Sequence, residues 1–329
     1  MRSNRSNILI TGANGFIGSH LAEFFAKKNF NVYSFDRYNI HNNYGWLEES
    51  PYKKRIKFIL GDIRDYDSVY KAMKGCKSVI HLAALIGIPY SYVSPSAYIK
   101  TNVEGTYNVL EAAKNYNIKN IIITSTSEVY GTAYKHKLSE NDIVNAQSPY
   151  AASKIAADQL ALSYNLSFNS PVKIIRPFNT FGPRQSFRAV IPTIISQILN
   201  KKKIKIGNIN TTRDFTYVHD LCNAYYKIHE SNKCIGQILN VGSGKEISIK
   251  ELIIKINSIT TKNAKINVEK KRLRPKGSEV NRLRCNNTKI KKLIKWNNTY
   301  NLEDGLIKTI KWFSNKENLT KYTNNSYNI

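Results

Sequence analysis

The chain has 329 residues, enough for one large or two modest domains, and its 42% hydrophobic content is that of a globular protein. Its 50 Lys and Arg against 23 Asp and Glu give a net charge of +27. The lysines are spread along the whole chain, and no nucleic-acid motif with interleaved aromatics accompanies them. The charge therefore points away from nucleic acid and suits an anionic small substrate. No apolar run reaches the roughly 18 residues needed to span a bilayer, so no membrane partner is expected. The start MRSNRSNILITG has no apolar signal region. The cysteines Cys76, Cys222, Cys234 and Cys285 are scattered and form no CxxC pair. A cytoplasmic protein with reduced thiols and no metal is expected.

Residues 7–18, NILITGANGFIG, read as a buried strand, a glycine turn and a helix start. Gly12, Gly15 and Gly18 permit a tight turn and close approach of a pyrophosphate to the backbone, and the helix start adds free N–H groups. Phe16 and Ile17 fall inside that turn. The helix continues through SHLAEFFAKK, where Leu21, Phe24 and Phe25 form an apolar face. The strand NVYSFD ends on Asp36, which suits the ribose hydroxyls of NAD; Arg37 beside it leaves NADP as the lesser option. KFILGDIRD (57–65) predicts a third strand, with Asp62 and Ile63 as adenine contacts. A short helix is expected over 67–74. SVIHLAAL (78–85) predicts a fourth strand, where Leu82, Ala83 and Ala84 let a cofactor lie against the backbone. In the following IGIPYSYVSP loop, Tyr90 and Tyr92 either line a substrate pocket or simply pack.

Residues 96–117, which include Thr101, carry a long helical pattern. Residues 120–126 predict the fifth strand, 149–168 a helix and 172–179 the sixth strand. Such alternation of apolar strands and helices argues a parallel α/β sheet. Beyond Asn179 come short strands and helices, including a capping box at Ser248 and Glu251 and a strand at 237–244. Two short helices are expected over 288–296 and 302–313. The resulting division is a nucleotide-binding domain over 1–180 with segments returning from about 214–244, a smaller domain over 181–315, and a flexible tail over 316–329.

The chemistry concentrates at TSTSEVYG and YAASK. Tyr150 and Lys154 stand at i and i+4, one above the other on a helix. An ammonium beside a phenol favours the phenolate, so Tyr150 is a candidate base. Thr126 and Glu128 at the end of the fifth strand add a hydroxyl and a carboxylate. Taken alone, a Tyr-x-x-x-Lys pair is as well read as a surface contact.

TGANGFIG, Asp62-Ile63, HLAA, TNVEGT, TSTSEVYG, YAASK, RPFNTFGPR, RDFTYVHDL and NVGSG occur in the order found in the extended short-chain dehydrogenase/reductases that modify nucleotide sugars. The chain resembles that family over about residues 7–313. The resemblance implies a Rossmann-like, doubly wound parallel sheet with a smaller C-terminal α/β domain for the substrate. It also implies NAD held by the turn and by Thr101, Tyr150 and Lys154, and a homodimer through 96–117 and 149–168. Asn179, Arg188, Arg213 and Arg274 match positions near the nucleotide, with Tyr90 as a further substrate contact. HLAALIGIPYSY, RPFNTFGPRQSFRAVIPTIISQI and LRPKGSEV look most like the 4,6-dehydratases of nucleotide-linked N-acetylglucosamine (GDP or UDP) in legionaminic acid biosynthesis. In that reading Tyr150 takes the O4 proton, Thr126 orients O4 and Glu128 takes the C5 proton. Ser127 stands where glucose-nucleotide dehydratases carry an Asp, which leaves the acid for the departing water open between Ser127 and Glu128. The alternatives are a UDP-glucuronate decarboxylase, a 4-epimerase, or an NAD-binding scaffold without catalysis, which has no chemical need for all four groups.

Overall fold

In the computed structural model, residues 6–133, 137–200, 203–320 and 322 are described. The first half alternates strand and helix: β1 (Asn7–Thr11), α1 (Phe16–Lys27), β2 (Asn31–Arg37), β3 (Ile56–Gly61), α2 (Tyr66–Met73) and β4 (Ser78–His81). There follow α3 (Ile88–Val93), α4 (Pro95–Tyr98), α5 (Gly105–Asn115), β5 (Asn120–Thr124), α6 (Pro149–Phe168) and β6 (Val172–Pro177). The second half contains β7 (Asn179–Phe181), α7 (Val190–Asn200), β8 (Lys203–Ile206), β9 (Thr212–Arg213), β10 (Phe215–Tyr217), α8 (Val218–His229) and β11 (Ile238–Val241). It closes with β12 (Ile247–Ser248), α9 (Ile249–Thr260), β13 (Lys265–Val268), α10 (Thr288–Ile294), α11 (Leu302–Ser314) and α12 (Lys316–Thr320).

Seven strands form one parallel sheet in the order β11-β6-β5-β4-β1-β2-β3. Alternate strand residues go to opposite faces. Ile8, Ile10, Ile80, Ile122 and Ile175 pack with α1 and α8; Leu9, Val79, Ile121, Ile123 and Ile174 pack with α2, α5 and α6. Both faces are covered, which explains why the strands read as continuous apolar runs. The strand order reverses at β1, where a crevice opens between the ends of β1 and β4. The sheet is the doubly wound Rossmann-like one. Beyond it the chain adds two-stranded pairs: β10 with β7, β12 with β9 and β13 with β8.

Several elements differ from the sequence expectation. The fourth strand stops at His81: the Leu82 amide is shared between the Thr11 carbonyl and hydroxyl, and the Ala83 amide bonds the Thr11 hydroxyl instead of continuing the ladder. The span 96–117 is not one α-helix. Ile99–Glu104 is a π-helical stretch between α4 and α5. There Asn102 reaches across to the Leu85 backbone, bonding both its N–H and its C=O. The sixth strand ends at Pro177, and Asn179–Phe181 pairs instead with β10. The polar tail begins as helix α12, and Tyr322 packs on Phe187, Trp46 and Trp312 while donating to the Gln185 carbonyl. Of the tail expected over 316–329, residues 321 and 323–329 lie outside the described residues.

Candidate active site

The glycine turn is built partly from internal demands and partly not. Gly12 has φ +70°, and a Cβ there would lie 3.0 Å from the Ala83 backbone. A Cβ on Gly18 would sit 2.1 Å from the Gly12 carbonyl oxygen. Gly15 is different: its φ is −76°, and its Cβ would meet only the Gly12 oxygen at 3.5 Å. Nothing within the chain requires glycine there, and that side of the turn is open to an incoming group. Gly15 is also the N-cap of α1, and no side chain caps that helix end. Uncapped N–H groups beside an open cradle fit a pyrophosphate.

Asp36 is buried and turned toward the same loop. Its carboxylate accepts the Asn14 N–H at 2.8 Å and the Ser34 hydroxyl. Burial pushes it up to about 6. Asp36 thus shapes the turn in addition to standing where a ribose is expected. Arg37 is exposed at the end of β2. Asp62 is engaged by the Arg64 guanidinium, which holds its carboxyl below the ordinary range. Ile63 is buried against Gly105. Phe16, Ile17, Leu82, Ala83, Ala84 and Thr101 are half-buried around the same crevice or on the π-helical stretch.

The catalytic candidates converge from three elements. β5 delivers Thr126, whose hydroxyl accepts the Glu128 N–H and caps the short turn Ser127–Tyr130. This turn buries Ser127 and leaves Glu128 half-exposed. α6 is capped by Ser148, whose side chain accepts the Ala151 N–H, and places Tyr150 in its first turn. Tyr150 is buried, with Thr126 favouring its phenolate and the Glu128 charge opposing it. Tyr98 packs edge-on against it at 6.2 Å between ring centres.

The sequence reading had Lys154 lowering Tyr150. Here the phenol instead stands well above its ordinary range, chiefly through burial, and Thr126 is the group that lowers it. Lys154 Nζ donates to the Thr124 carbonyl, and burial pushes it down to about 8 against the opposing pull of Asp158. Asp158, one further turn along α6, was not singled out from the sequence. It is fully buried and pairs with Arg176 at 3.0 Å while accepting the Ser125 hydroxyl. Its i+4 spacing from Lys154 was the available signal.

The substrate candidates split. Arg213 is buried, its guanidinium lowered by burial and supported by the charges of Glu128 and Glu279. Glu279 lies 3.6 Å from Arg213 and 3.8 Å from Arg274, so the two arginines meet at one carboxylate. Arg274 Nη1 and Asn179 Oδ1 are buried without a hydrogen-bond partner. Arg188 is exposed, yet near enough for its charge to favour the Tyr98 phenolate. Tyr90 is 38% exposed and leans toward Tyr98. Tyr92 packs, bonding Ser278 through its hydroxyl. Glu279 escapes the sequence reading because Arg213 lies 66 residues away and Arg274, five residues before it, matches no helical spacing. Among the described residues no cluster of His, Cys, Asp or Glu could hold a metal.

Comparisons with known proteins show the family to which the chain belongs. A family model described as GDP-mannose 4,6 dehydratase matches residues 9–309. The dTDP-D-glucose 4,6-dehydratase of Dictyostelium discoideum is 35% identical over 77% of this chain, a match spanning 62% of that protein. The UDP-N-acetyl-alpha-D-glucosaminuronate decarboxylase of Bacillus cytotoxicus is 33% identical over 95% of this chain and 99% of its own length. Among solved structures, the UDP-glucuronic acid 4-epimerase of Bacillus cereus, in complex with UDP-glucuronic acid and NAD, is 30% identical. It superposes with a TM-score of 0.83 over 94% of this chain and 99% of that one. These relatives differ in reaction but share the architecture, and the chain belongs with them to the extended short-chain dehydrogenase/reductase family of NAD-dependent nucleotide-sugar epimerases and dehydratases.

Proposed function

We propose that this chain is an NAD-dependent 4,6-dehydratase acting on a nucleotide-linked N-acetylglucosamine, GDP or UDP, and making a 4-keto-6-deoxy sugar for a legionaminic acid-type surface glycan. The observation that carries the reading is Glu128. Epimerisation at C4 needs one acid–base group at O4, and Tyr150 supplies it. Dehydration needs a second base at C5, and Glu128 stands beside Tyr150 with its charge reaching both Tyr150 and Arg213. The glycine turn and Asp36 fit NAD, which when bound would take the C4 hydride and give it back at C6 once water has left, so that no net redox occurs. Thr126 orients O4, and Tyr150 takes its proton as the phenolate, which Thr126 favours and burial opposes. The ketone so formed at C4 acidifies the C5 hydrogen, which Glu128 removes. A serine hydroxyl such as that of Ser127 is a poor proton donor, which supports Glu128 as the group that returns a proton to the leaving C6 hydroxyl, with C5 reprotonated from water after hydride reaches C6. Arg213 and Arg274 grip the diphosphate. The protein works as a homodimer through α5 and α6.

The relatives also include a decarboxylase, and Glu128 there would protonate C5 after loss of CO2. Incubation of the purified protein with UDP- and GDP-N-acetylglucosamine and UDP-glucuronate, read by mass spectrometry, separates the two. An amino-sugar product lighter by one water is expected. Loss of CO2 from the glucuronate with both amino sugars untouched would overturn the dehydratase.

A further inference from the structure

Gln147 is not among the catalytic or substrate candidates, yet its amide joins three of the segments that carry them. Its Oε1 accepts the Thr132 N–H at 2.7 Å and the Thr132 hydroxyl at 3.1 Å. Its Nε2 donates to the carbonyls of Gly277 at 3.1 Å and Glu279 at 3.4 Å. Its own carbonyl accepts the Ser278 hydroxyl, which also meets the Tyr92 hydroxyl at 2.5 Å. Thr132 lies four residues beyond Glu128, and Gln147 lies three before Tyr150. The segment it holds runs between Arg274 and Asn281, and the Asn281 N–H in turn donates to the Thr132 hydroxyl at 3.1 Å. Gly131, at φ +66°, lets the chain pass so close that a Cβ there would stand 2.6 Å from Gln147 Oε1.

We propose that Gln147 is the positioning residue that fixes the Arg274–Glu279 segment to the catalytic turn and start of α6, and so sets the grip on the substrate's nucleoside diphosphate. Both ends of the amide are used: an acceptor for the segment after Glu128, a donor for two carbonyls of the nucleotide-facing loop. Asn is one methylene too short to span them. Glu keeps the acceptor and loses both donors, placing a carboxylate against two carbonyl oxygens. Tyr92 is drawn in through Ser278, which ties the loop after β4 to the same point. The proposal rests on the nucleotide-sugar reading for its ligand but not on which sugar is turned over.

The test uses the NAD-loaded protein. GDP, UDP and dTDP are titrated into wild type and Gln147→Glu by calorimetry, with amide hydrogen exchange followed over 275–281. The variant is expected to keep its NAD and to bind its preferred nucleotide about tenfold more weakly. Exchange should quicken over 275–281 and 131–133 only, and KM for the sugar nucleotide should rise more than kcat falls. Ser278→Ala, which leaves the amide intact, should weaken binding about threefold. A folded Gln147→Glu protein whose affinity stays within about twofold of wild type overturns the proposal. If Gln147→Glu does not fold, unchanged affinity in both Ser278→Ala and Tyr92→Phe overturns it. Wild type that binds none of the three nucleotides would sink the nucleotide-sugar reading instead, and with it the ligand named here; the exchange data would still show whether Gln147 anchors the loop.

Discussion

Gly15 and Gly18 are glycines for different reasons, and substitution separates them. A methyl group on Gly18 collides with backbone, 2.1 Å from the Gly12 oxygen and 2.7 Å from the Ala13 Cα, and neither can move without dismantling the turn. Gly18→Ala should cost about 3 kcal/mol or more in urea unfolding. On Gly15 the methyl meets the chain only at ordinary contact distance, and the backbone there is one that any residue adopts. Gly15→Ala should unfold at the same urea concentration as wild type but purify with little or no NAD, read from the ratio of absorbance at the nucleotide and protein maxima. A Gly15→Ala protein with a full complement of NAD would show that the open side of the turn is not where the pyrophosphate lies.

Helix α6 carries Tyr150, Lys154 and Asp158 on one face, and the third residue ties that face to the sheet. Arg176 from β6 bonds Asp158 through Nε and Nη2 and the Tyr130 hydroxyl through Nη1, all out of contact with water. Asp158 Oδ1 has no hydrogen-bond partner, and Arg176 is the larger of the two charges, with Lys154, that favour the buried carboxylate. Removing one member of a buried pair strands the other. Arg176→Met should lower stability by about 3–5 kcal/mol. Adding Asp158→Leu to that variant should recover much of the loss, measured by denaturant unfolding of the single and double variants. No recovery would mean that Arg176 acts through Tyr130 rather than through the carboxylate. At this scale the chain was legible where the signal is local. The β1–α1–β2 unit, the span of α6 and the Ser248–Glu251 capping box follow from periodicity and caps, and all three are present. It was illegible where a distant side chain decides. The π-helical stretch follows from Asn102 reaching Leu85, and the early end of β4 from Thr11 taking two amides. The pairing of Arg213 with Glu279 and the bridge made by Gln147 join segments far apart in sequence, and no spacing rule announces such contacts.

At the scale of the molecule, the covered and uncovered faces of the sheet layers decide how the chain associates. α5 and α6 lie side by side over the sheet, tied by the Tyr164 hydroxyl donating to Glu111 at 2.7 Å. Their inner residues Val109, Leu110, Ala161 and Tyr164 are buried. On the outside Ile99 is 55%, Tyr107 46%, Leu166 81% and Phe168 52% exposed. Large apolar groups so placed on adjacent helices are those that a partner surface removes from water, at roughly 25 cal/mol per Å² of apolar area. A second copy of the same helix pair is the occupant the family resemblance implies, since a two-fold axis brings identical patches together. The wild type should therefore sediment as a dimer. Tyr107→Glu combined with Leu166→Glu should sediment as a monomer, because each charge would be desolvated twice in a two-fold interface. The substituted side chains already face solvent in the single chain, so that monomer should still unfold cooperatively, at a lower denaturant concentration than the dimer by what association contributes. A double variant that stays dimeric would place the interface elsewhere. One that loses its fold with its partner would show that the helix pair cannot stand alone, and that the protein's stability is inseparable from its concentration.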